Sequence, residues 1–377
     1  MDRIAVDTWL KLHGIENYTI NEDLSVDVNG DVKLYSKALS CIPVKFRNVS
    51  GSFYCHWNKL TNLDGCPDFV GDKFFCADNK LTSLYGCPSI VNGDFDCGIN
   101  VLLTLEFCPV VVGGDFDCNN NQLTSLNGCS KRIGGSFNCS NNKLLDLSGC
   151  IAEVSGDFNC ASSGLLSLVG CPVRVGGGFS CSENELTSLK GCPDSVGSYF
   201  NCFNNRLTSL VGIPDIIAGE CNCYGNKLTT LVGGPIRVQD VFACSSNQLS
   251  TLEGCPVYIG GDICFGFNLL SSLEGCPVNI TGNFSCYDNK LTSLVGGPIS
   301  VSGNFDCYVN KLASFSGFPI VGGEINCGGN DLLDSEIFLY GSSSDQIITY
   351  YKNKNLHESL QIILPIKYIV EIRKKKI

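Results

Sequence analysis

Cysteine is the residue type in this chain best equipped for chemistry. The sequence has 25 cysteines but only three histidines, His13, His56 and His357. Disulfides and tetrahedral zinc sites are the usual roles of such a set. No Cys-x-x-Cys pair occurs, however, and most cysteines recur at two fixed positions of a repeating unit. This regularity predicts reduced, buried thiols that serve as small apolar side chains.

Acidic side chains are the second group that could do chemistry. Two Gly-Asp-Phe-Asp segments pair Asp94 with Asp96 and Asp115 with Asp117. Calcium requires six to eight oxygen ligands, often including loop carbonyls, and a flat strand offers these poorly. The scattered histidines cannot assemble a Ser-His-Asp site, and neither a P-loop nor an HExxH motif occurs. The sequence therefore predicts no enzyme, no cofactor and no metal site.

A period of 21 residues orders these side chains. A leucine follows each repeated asparagine by two residues, and a valine or isoleucine precedes it by nine. Phenylalanine usually stands five residues before the asparagine and cysteine three before it. Such a period is typical of stacked supersecondary units. The asparagine position is occupied by Asn58, Asn79, Asn100, Asn121, Asn142, Ser163, Asn184, Asn205, Asn226, Asn247, Asn268, Asn289 and Asn310.

The repeating unit is V-x-G-x-F-x-C-x-x-N-x-L-T-S-L-x-G-C-P. Its first part alternates with period two, which indicates a strand with one buried face. The asparagine amides are expected to form a ladder across the turns. Glycine and proline disfavour a helix in the second part. We therefore expect a mainly β fold: a single solenoid of about 15 repeats, with one parallel strand per repeat and an extended or turn-like return side.

Three segments are expected along the chain. Residues 1–27 should form an N-terminal cap, with Asp2 as the N-cap of a short helix whose apolar side chains include Ile4, Trp9 and Leu12. Residues 28–333 should form the solenoid. Residues 334–377 should form a C-terminal cap, helical over 337–339 and 347–350, followed by a basic tail.

The repeat resembles the leucine-rich-repeat family, as Phe116, Cys118, Asn121, Leu123 and Leu126 illustrate. It is most similar to the short class found in bacterial effectors, although glycine replaces the first leucine and Gly-Cys-Pro replaces Leu-Pro. It also resembles repeat proteins encoded by large tailed bacteriophages. The resemblance implies a solenoid that binds other molecules. The ubiquitin-ligase activity of some effectors belongs to a separate domain and is not implied here.

The outward strand side chains should line a concave, acidic and aromatic face. From Asp94 onward they include nine acids and no lysine or arginine. Lysines lie beside the asparagines, towards the rim. Adjacent aromatic side chains on one open sheet are typical of an interface. The predicted partner-binding residues are Asp94, Asp96, Asp115, Asp117, Asp157, Tyr199, Phe203, Glu220, Tyr224, Tyr287, Asp306 and Tyr308.

The sequence thus predicts a non-enzymatic scaffold that binds a protein with a basic surface. A carbohydrate-binding adhesin and a cation-binding structural solenoid are the alternatives. The net charge of −11 argues against direct binding to nucleic acid or an anionic membrane. The reduced cysteines and the absence of an apolar signal segment predict a cytoplasmic location. If the chain is phage-encoded, the compartment is the host cytoplasm and the partner a host protein. The oligomeric state is not predicted.

Overall fold

A computed structural model describes residues 1–314 and 316–332, together with the backbone of two strands at 347–351 and 359–363. The chain divides into two compact units. The first comprises 1–186 and 190–197, and the second comprises 187–189 and 198–377. Both units are built almost wholly from short parallel strands, which confirms the mainly β solenoid fold.

The first unit begins with a helix, Arg3–Leu12, and a hairpin of Tyr18–Ile20 with Val26–Val28. Asp2 caps the helix as predicted, since its Oδ1 accepts a hydrogen bond from Ala5 N at 2.8 Å. The predicted apolar face was wrong at two of its three positions: Ile4 and Leu12 are 78% and 79% exposed, while Trp9 is partly buried and its ring meets Phe46 at 6.5 Å. Val6 and Leu10 are the buried residues of the helix. The packed face is set by positions four apart, one helical turn.

Each repeat contains two strands rather than the single strand predicted. A first strand ends at the valine or isoleucine position, and a second begins at the phenylalanine position. Glycine lies in the break, where turns stack closely: a Cβ on Gly134 would collide with the carbonyl oxygen of Gly113. Fifteen second strands occur in the part of the chain up to residue 332, eight in the first unit and seven in the second.

The strands of the first unit pair in parallel with a register of one repeat, as Phe116 with Phe137 illustrates. Its first strands are Phe46–Val49, Phe69–Val70, Ile90–Val91, Val111–Val112, Arg132–Ile133, Glu153–Val154, Arg174–Val175 and Ser195–Val196. Its second strands are Val32–Lys33, Phe53–Tyr54, Phe74–Phe75, Phe95–Asp96, Phe116–Asp117, Phe137–Asn138, Phe158–Asn159 and Phe179–Ser180.

The second unit repeats this arrangement. Its first strands are Ile216–Ile217, Arg237–Val238, Tyr258–Ile259, Asn279–Ile280, Ser300–Val301 and Ile320–Val321. Its second strands are Phe200–Asn201, Cys221–Asn222, Phe242–Ala243, Ile263–Cys264, Phe284–Ser285, Phe305–Asp306 and Ile325–Asn326.

The C-terminal cap departs from its prediction. Ile347–Tyr351 is a strand that pairs in parallel with Ile325–Asn326 and antiparallel with Ser359–Ile363. The helix predicted over 347–350 was therefore wrong; isoleucine, threonine and tyrosine are residues that favour extended backbone. The predicted helix at 337–339 and the basic tail lie outside the described residues.

The asparagines form the predicted ladder. Asn121 Nδ2 donates to the carbonyls of Cys118 and Asn119 in its own turn and of Cys97 in the preceding turn, each at 3.1 Å. Its Oδ1 accepts from Leu102 N at 3.0 Å. The residue before the ladder position has left-handed backbone even where it is β-branched, as at Ile99 with φ of 51°. The ladder bonds hold this costly turn in place.

The core consists of stacked columns of identical side chains. Phe95, Phe116 and Phe137 are at most 1% exposed, and their rings stand 5.1 Å apart between neighbouring turns. The cysteines are free thiols and most are buried, although Cys41 is exposed. Burial raises the pKa of thiols such as Cys97 well above its usual value, which keeps them protonated. Of the helices in the described residues, none has the length and apolarity to cross a bilayer.

Candidate functional site

In each unit, the strand face comprises three columns of outward side chains. In each turn, the first column is the residue before the second strand, the second column is the last residue of that strand, and the third column follows two residues later. Asp115, Asp117 and Asn119 are one such set. Each of the 12 predicted binding residues is at least partly exposed on this face. Five lie in the first unit (Asp94, Asp96, Asp115, Asp117 and Asp157), and seven lie in the second (Tyr199, Phe203, Glu220, Tyr224, Tyr287, Asp306 and Tyr308).

The first column has a structural role that the sequence analysis missed. Asp94 Oδ1 accepts a hydrogen bond from Asp115 N at 3.0 Å, and Asp115 Oδ1 accepts one from Ser136 N at 2.6 Å. Ser136 Oγ then accepts from Asp157 N at 3.1 Å, and Asp157 Oδ1 from Gly178 N at 2.7 Å. This first-column ladder favours Asp, Asn or Ser in the turns that form it, from Asp94 to Asp157. An aspartate is therefore not needed here for its charge.

The second column closes the strand exit. Asp96 Oδ1 accepts from Gly98 N at 2.9 Å, and Asp117 Oδ1 accepts from Asn119 N at 2.8 Å. Asparagine makes the same turn elsewhere, as at Asn159. Either residue satisfies the backbone, so the choice of aspartate over asparagine at Asp96 and Asp117 adds charge without a structural need.

The acids of the first unit are electrostatically coupled. Burial, and then the neighbouring Asp117 carboxylate, raise the pKa of Asp96 to about 6, while burial also raises the pKa of Asp117. Asp94 forms an ion pair with Lys73 at 2.7 Å. Burial disfavours its ionised form, but Lys73 and the N–H of Asp115 outweigh burial and lower the pKa of Asp94. The carboxylates of Asp96 and Asp117 therefore repel each other, as predicted, whereas Lys73 offsets the repulsion on Asp94.

The aromatic residues of the second unit form a stacked group. The rings of Tyr287 and Tyr308 are nearly parallel, with centroids 4.8 Å apart, and Phe267 meets Tyr287 edge to face at 5.0 Å. Burial raises the pKa of Asp306 to about 6 beside this group. Phe267 was absent from the predicted site because it occupies the left-handed position before the ladder asparagine, with φ of 53°. Tyr224 is 44% exposed.

A second aromatic group lies in the first unit around His56. Its ring stacks on Tyr35 at 5.1 Å and meets Trp57, Tyr54 and Phe75 at 4.7, 6.0 and 6.1 Å. His56 Nδ1 is buried without a hydrogen-bond partner, and burial lowers the pKa of His56. Trp57 is 58% exposed. The group offers an aromatic surface that surrounds a neutral imidazole.

The metal alternative gains no support from the geometry. Asp94 and Asp115 already use one carboxylate oxygen each as acceptors for backbone N–H groups. Over the described residues, no three His, Cys, Asp or Glu side chains converge as a metal ion requires.

Comparison with known proteins finds matches among solved structures only. No protein-family model and no curated sequence matches the chain. Among solved structures, it is similar to YopM from Yersinia enterocolitica (18% identity, 80% of this chain, 82% of that chain, TM-score 0.49). It is also similar to YopM, a leucine-rich effector protein from Yersinia pestis (16% identity, 80% of this chain, 77% of that chain, TM-score 0.48).

A third solved structure is the functional domain of InlJ from Listeria monocytogenes, which includes a cysteine ladder (17% identity, 74% of this chain, 73% of that chain, TM-score 0.38). The solenoid fold itself rests on the strand pairing and the asparagine ladder described above.

Proposed function

We propose that this chain is a non-enzymatic protein-binding scaffold whose acidic and aromatic strand face receives a basic surface of a partner protein. The observation that carries the proposal is the composition of the strand face. From Asp94 to Gly328, its three columns contain nine acids and no lysine or arginine. Asp96, Asp117 and Asp306 stand where asparagine would satisfy the same backbone groups.

The energetics also favour a cationic partner. Burial raises the pKa of Asp96 and Asp306 to about 6, so the free protein holds these charges at a cost. A basic group placed against them would offset that cost and lower both pKa values. The stacked tyrosines supply a rigid apolar area that loses little entropy on binding. Charge would then speed association and the rings would slow dissociation.

The reduced, buried thiols favour action in a cytoplasm. If the chain is phage-encoded, as the resemblance of its repeat suggests, that cytoplasm belongs to the host and the partner is a host protein with a basic surface.

The test is capture of partners with matched baits. Wild-type protein and the Asp94→Asn/Asp115→Asn variant should be incubated with host cytoplasmic extract, and bound proteins quantified by mass spectrometry. Asparagine keeps the Oδ1 acceptor of the first-column ladder and removes the charge. A basic protein bound by wild type should be depleted from the variant. Equal recovery of every bound protein on both baits would contradict the proposal.

Carbohydrate binding is the second candidate, favoured by the exposed Trp57 beside the His56 group. Aromatic rings that flank a neutral hydrogen-bonding side chain suit a sugar face. A glycan array separates the two candidates: retention of a defined glycan that is lost in Trp57→Ala would favour the sugar, and its absence would leave the protein scaffold.

A further inference from the structure

In its third column, the second unit has two residues with little or no side chain between tyrosines. Its successive residues are Tyr224, Ser245, Gly266, Tyr287 and Tyr308. Ser245 and Gly266 are buried and offer almost no side chain between the two flanking tyrosines. Neighbouring parallel strands stand about 4.8 Å apart, so three strand spacings separate the backbones of Tyr224 and Tyr287 by roughly 14 Å. We refer to the space between Tyr224 and Tyr287, over Ser245 and Gly266, as the tyrosine slot.

One wall of the tyrosine slot is held in place. A Cβ on Gly266 would lie 2.5 Å from Cε1 of Tyr287, so the Tyr287 ring leans over Gly266. Tyr308 stacks behind that ring at 4.8 Å, and Phe267 braces it at 5.0 Å. This lean directs the Tyr287 ring towards the Tyr224 side of the column, with Ser245 between the two tyrosines.

The electrostatics of the slot favour a cation. Glu220 and Asp262 occupy the first column on either side of it. Burial, followed by the charges of Asp262 and Glu220, raises the pKa of the Cys264 thiol, which lies in the second column. Asp262 accepts hydrogen bonds from Asn283 through both Oδ1 and Oδ2, whereas Glu220 Oε1 accepts one from Asn222 Nδ2. No lysine or arginine occurs in the three columns between 199 and 328. Tyrosine faces attract cations through the ring quadrupole.

The same unit already contains this kind of contact elsewhere. On the first strands, the guanidinium of Arg237 lies over the ring of Tyr258, 4.6 Å from its centroid. A guanidinium is planar, weakly hydrated and able to bond a carboxylate while it stacks on a ring. An ammonium lacks the plane that fits between two rings.

We propose that the tyrosine slot receives one arginine side chain of the partner, stacked between Tyr224 and Tyr287 and hydrogen-bonded to Glu220. This inference rests on the proposed function, because it assigns a chemical anchor to the basic partner surface.

The experiment uses full-length protein with carbon-13-labelled tyrosine rings, titrated with Nα-acetyl-arginine methylamide. Nα-acetyl-citrulline methylamide is the matched control, since it replaces the guanidinium by a neutral urea of the same shape. The arginine derivative should shift the ring signals of Tyr224 and Tyr287 and leave that of Tyr54, in the other unit, unchanged. The citrulline derivative should shift neither.

Variants then assign the effect to the slot. Tyr224→Leu should weaken binding of the arginine derivative about tenfold, as expected for a desolvated cation–π contact. Tyr258→Leu is the control, because Tyr258 is 40% exposed and lies outside the strand face. It should leave the affinity unchanged. Unaltered melting temperatures would exclude loss of fold as the cause.

Three results would overturn the inference: unmoved Tyr224 and Tyr287 signals, equal binding of the citrulline derivative, or equal binding of Nα-acetyl-lysine methylamide, which would remove the guanidinium preference. Failure of the slot inference can be distinguished from failure of the proposed function. If arginine leaves the slot untouched while the Asp94→Asn/Asp115→Asn variant still loses its partner, only the slot inference falls. If arginine fills the slot but no captured protein depends on the strand face, the slot stands and the scaffold proposal falls.

Discussion

Asn121 donates a side-chain hydrogen bond to the carbonyl oxygen of Cys97, 24 residues earlier in the chain, at 3.1 Å. Two further bonds from the same amide close its own turn, and its oxygen accepts the N–H of Leu102 in the preceding turn. One 7%-exposed side chain thus joins two turns. The repeat of this arrangement explains why asparagine recurs at the ladder position.

The ladder predicts opposite effects at two equivalent positions. Asn121→Ala should lower the free energy of unfolding by about 3 kcal/mol, because it leaves buried backbone groups unpaired. Ser163 occupies the same position with fewer bonds: its hydroxyl donates to the carbonyls of Cys139 and Ala161 and accepts a long bond from Asn142 N at 3.4 Å. Ser163→Asn should therefore stabilise the protein by about 1 kcal/mol. Denaturant unfolding measures both, and destabilisation by Ser163→Asn would argue against the ladder.

Phe137 and Ser136 test the assignment of inward and outward side chains. Phe137 is 0% exposed between Phe116 and Phe158, so Phe137→Ala should cost about 3–5 kcal/mol. Ser136→Ala should cost about 1 kcal/mol, because it removes the acceptor for Asp157 N. Urea titrations give both values. Equal losses from the two substitutions would refute the assigned strand faces.

The raised pKa of Asp96 predicts that the free energy of unfolding depends on pH. Its folded-state pKa of about 6 exceeds the usual 3.8, so the unfolded state ionises more readily. The stability contributed by protonated Asp96 is full below about pH 4 and is lost as the pH rises through 6. Asp96→Asn keeps the acceptor for Gly98 N and should be more stable than wild type at pH 7 by about 1 kcal/mol.

The gain from Asp96→Asn should vanish below pH 4, as unfolding free energies measured across this range would reveal. Asn138→Asp is the reciprocal control and should lower stability at pH 7. A constant gain from Asp96→Asn at every pH would show that charge is not its origin.

Cys41 should dominate the reactivity of the native thiols. It is the exposed cysteine, whereas burial raises the pKa of thiols such as Cys76 and Cys118 well above the usual value. A thiol reagent should modify Cys41 first, and all 25 cysteines should react after denaturation without reductant. Cys41→Ser should remove the fast phase. Persistence of that phase would mean that a partly exposed thiol such as Cys87 reacts as fast as Cys41, or that a buried thiol column opens in the native state.

Much of the fold could be predicted from the sequence because the 21-residue period forces equivalent residues into register. The core columns and the asparagine ladder follow from that register alone. The break of each repeat into two strands could not be predicted from the register, because it depends on the close stacking of glycines such as Gly113 and Gly134. The cap at 347–350 lies outside the repeat, where no register supports a prediction.

The candidate site was only partly predictable for a related reason. Alternation along the strand identifies outward side chains such as Asp115, but not their hydrogen bonds to the next turn. The ladder role of Asp94 and Asp115 appears only when the turns are stacked. Phe267 itself has left-handed backbone, so the alternation of side chains along a strand does not apply to it.

The first-column ladder also determines which substitution tests the charge of the strand face. Asp115→Lys would remove the acceptor for Ser136 N, so a loss of binding could reflect lost structure. Asp94→Asn and Asp115→Asn keep both acceptors and remove the charge, and Asp94→Asn also removes the ion pair with Lys73. Asp64→Asn and Glu106→Gln are the matched controls, because both acids are exposed in the same unit but outside the strand face.

The most direct test of the scaffold proposal is the association rate constant of the purified partner, measured against salt concentration for these two double variants and wild type. If the charge of the strand face steers the partner, Asp94→Asn/Asp115→Asn should associate about three- to tenfold more slowly than wild type at low salt, and the difference should disappear at high salt. The control variant should match wild type throughout. Identical rates for all three proteins at low salt would contradict the account.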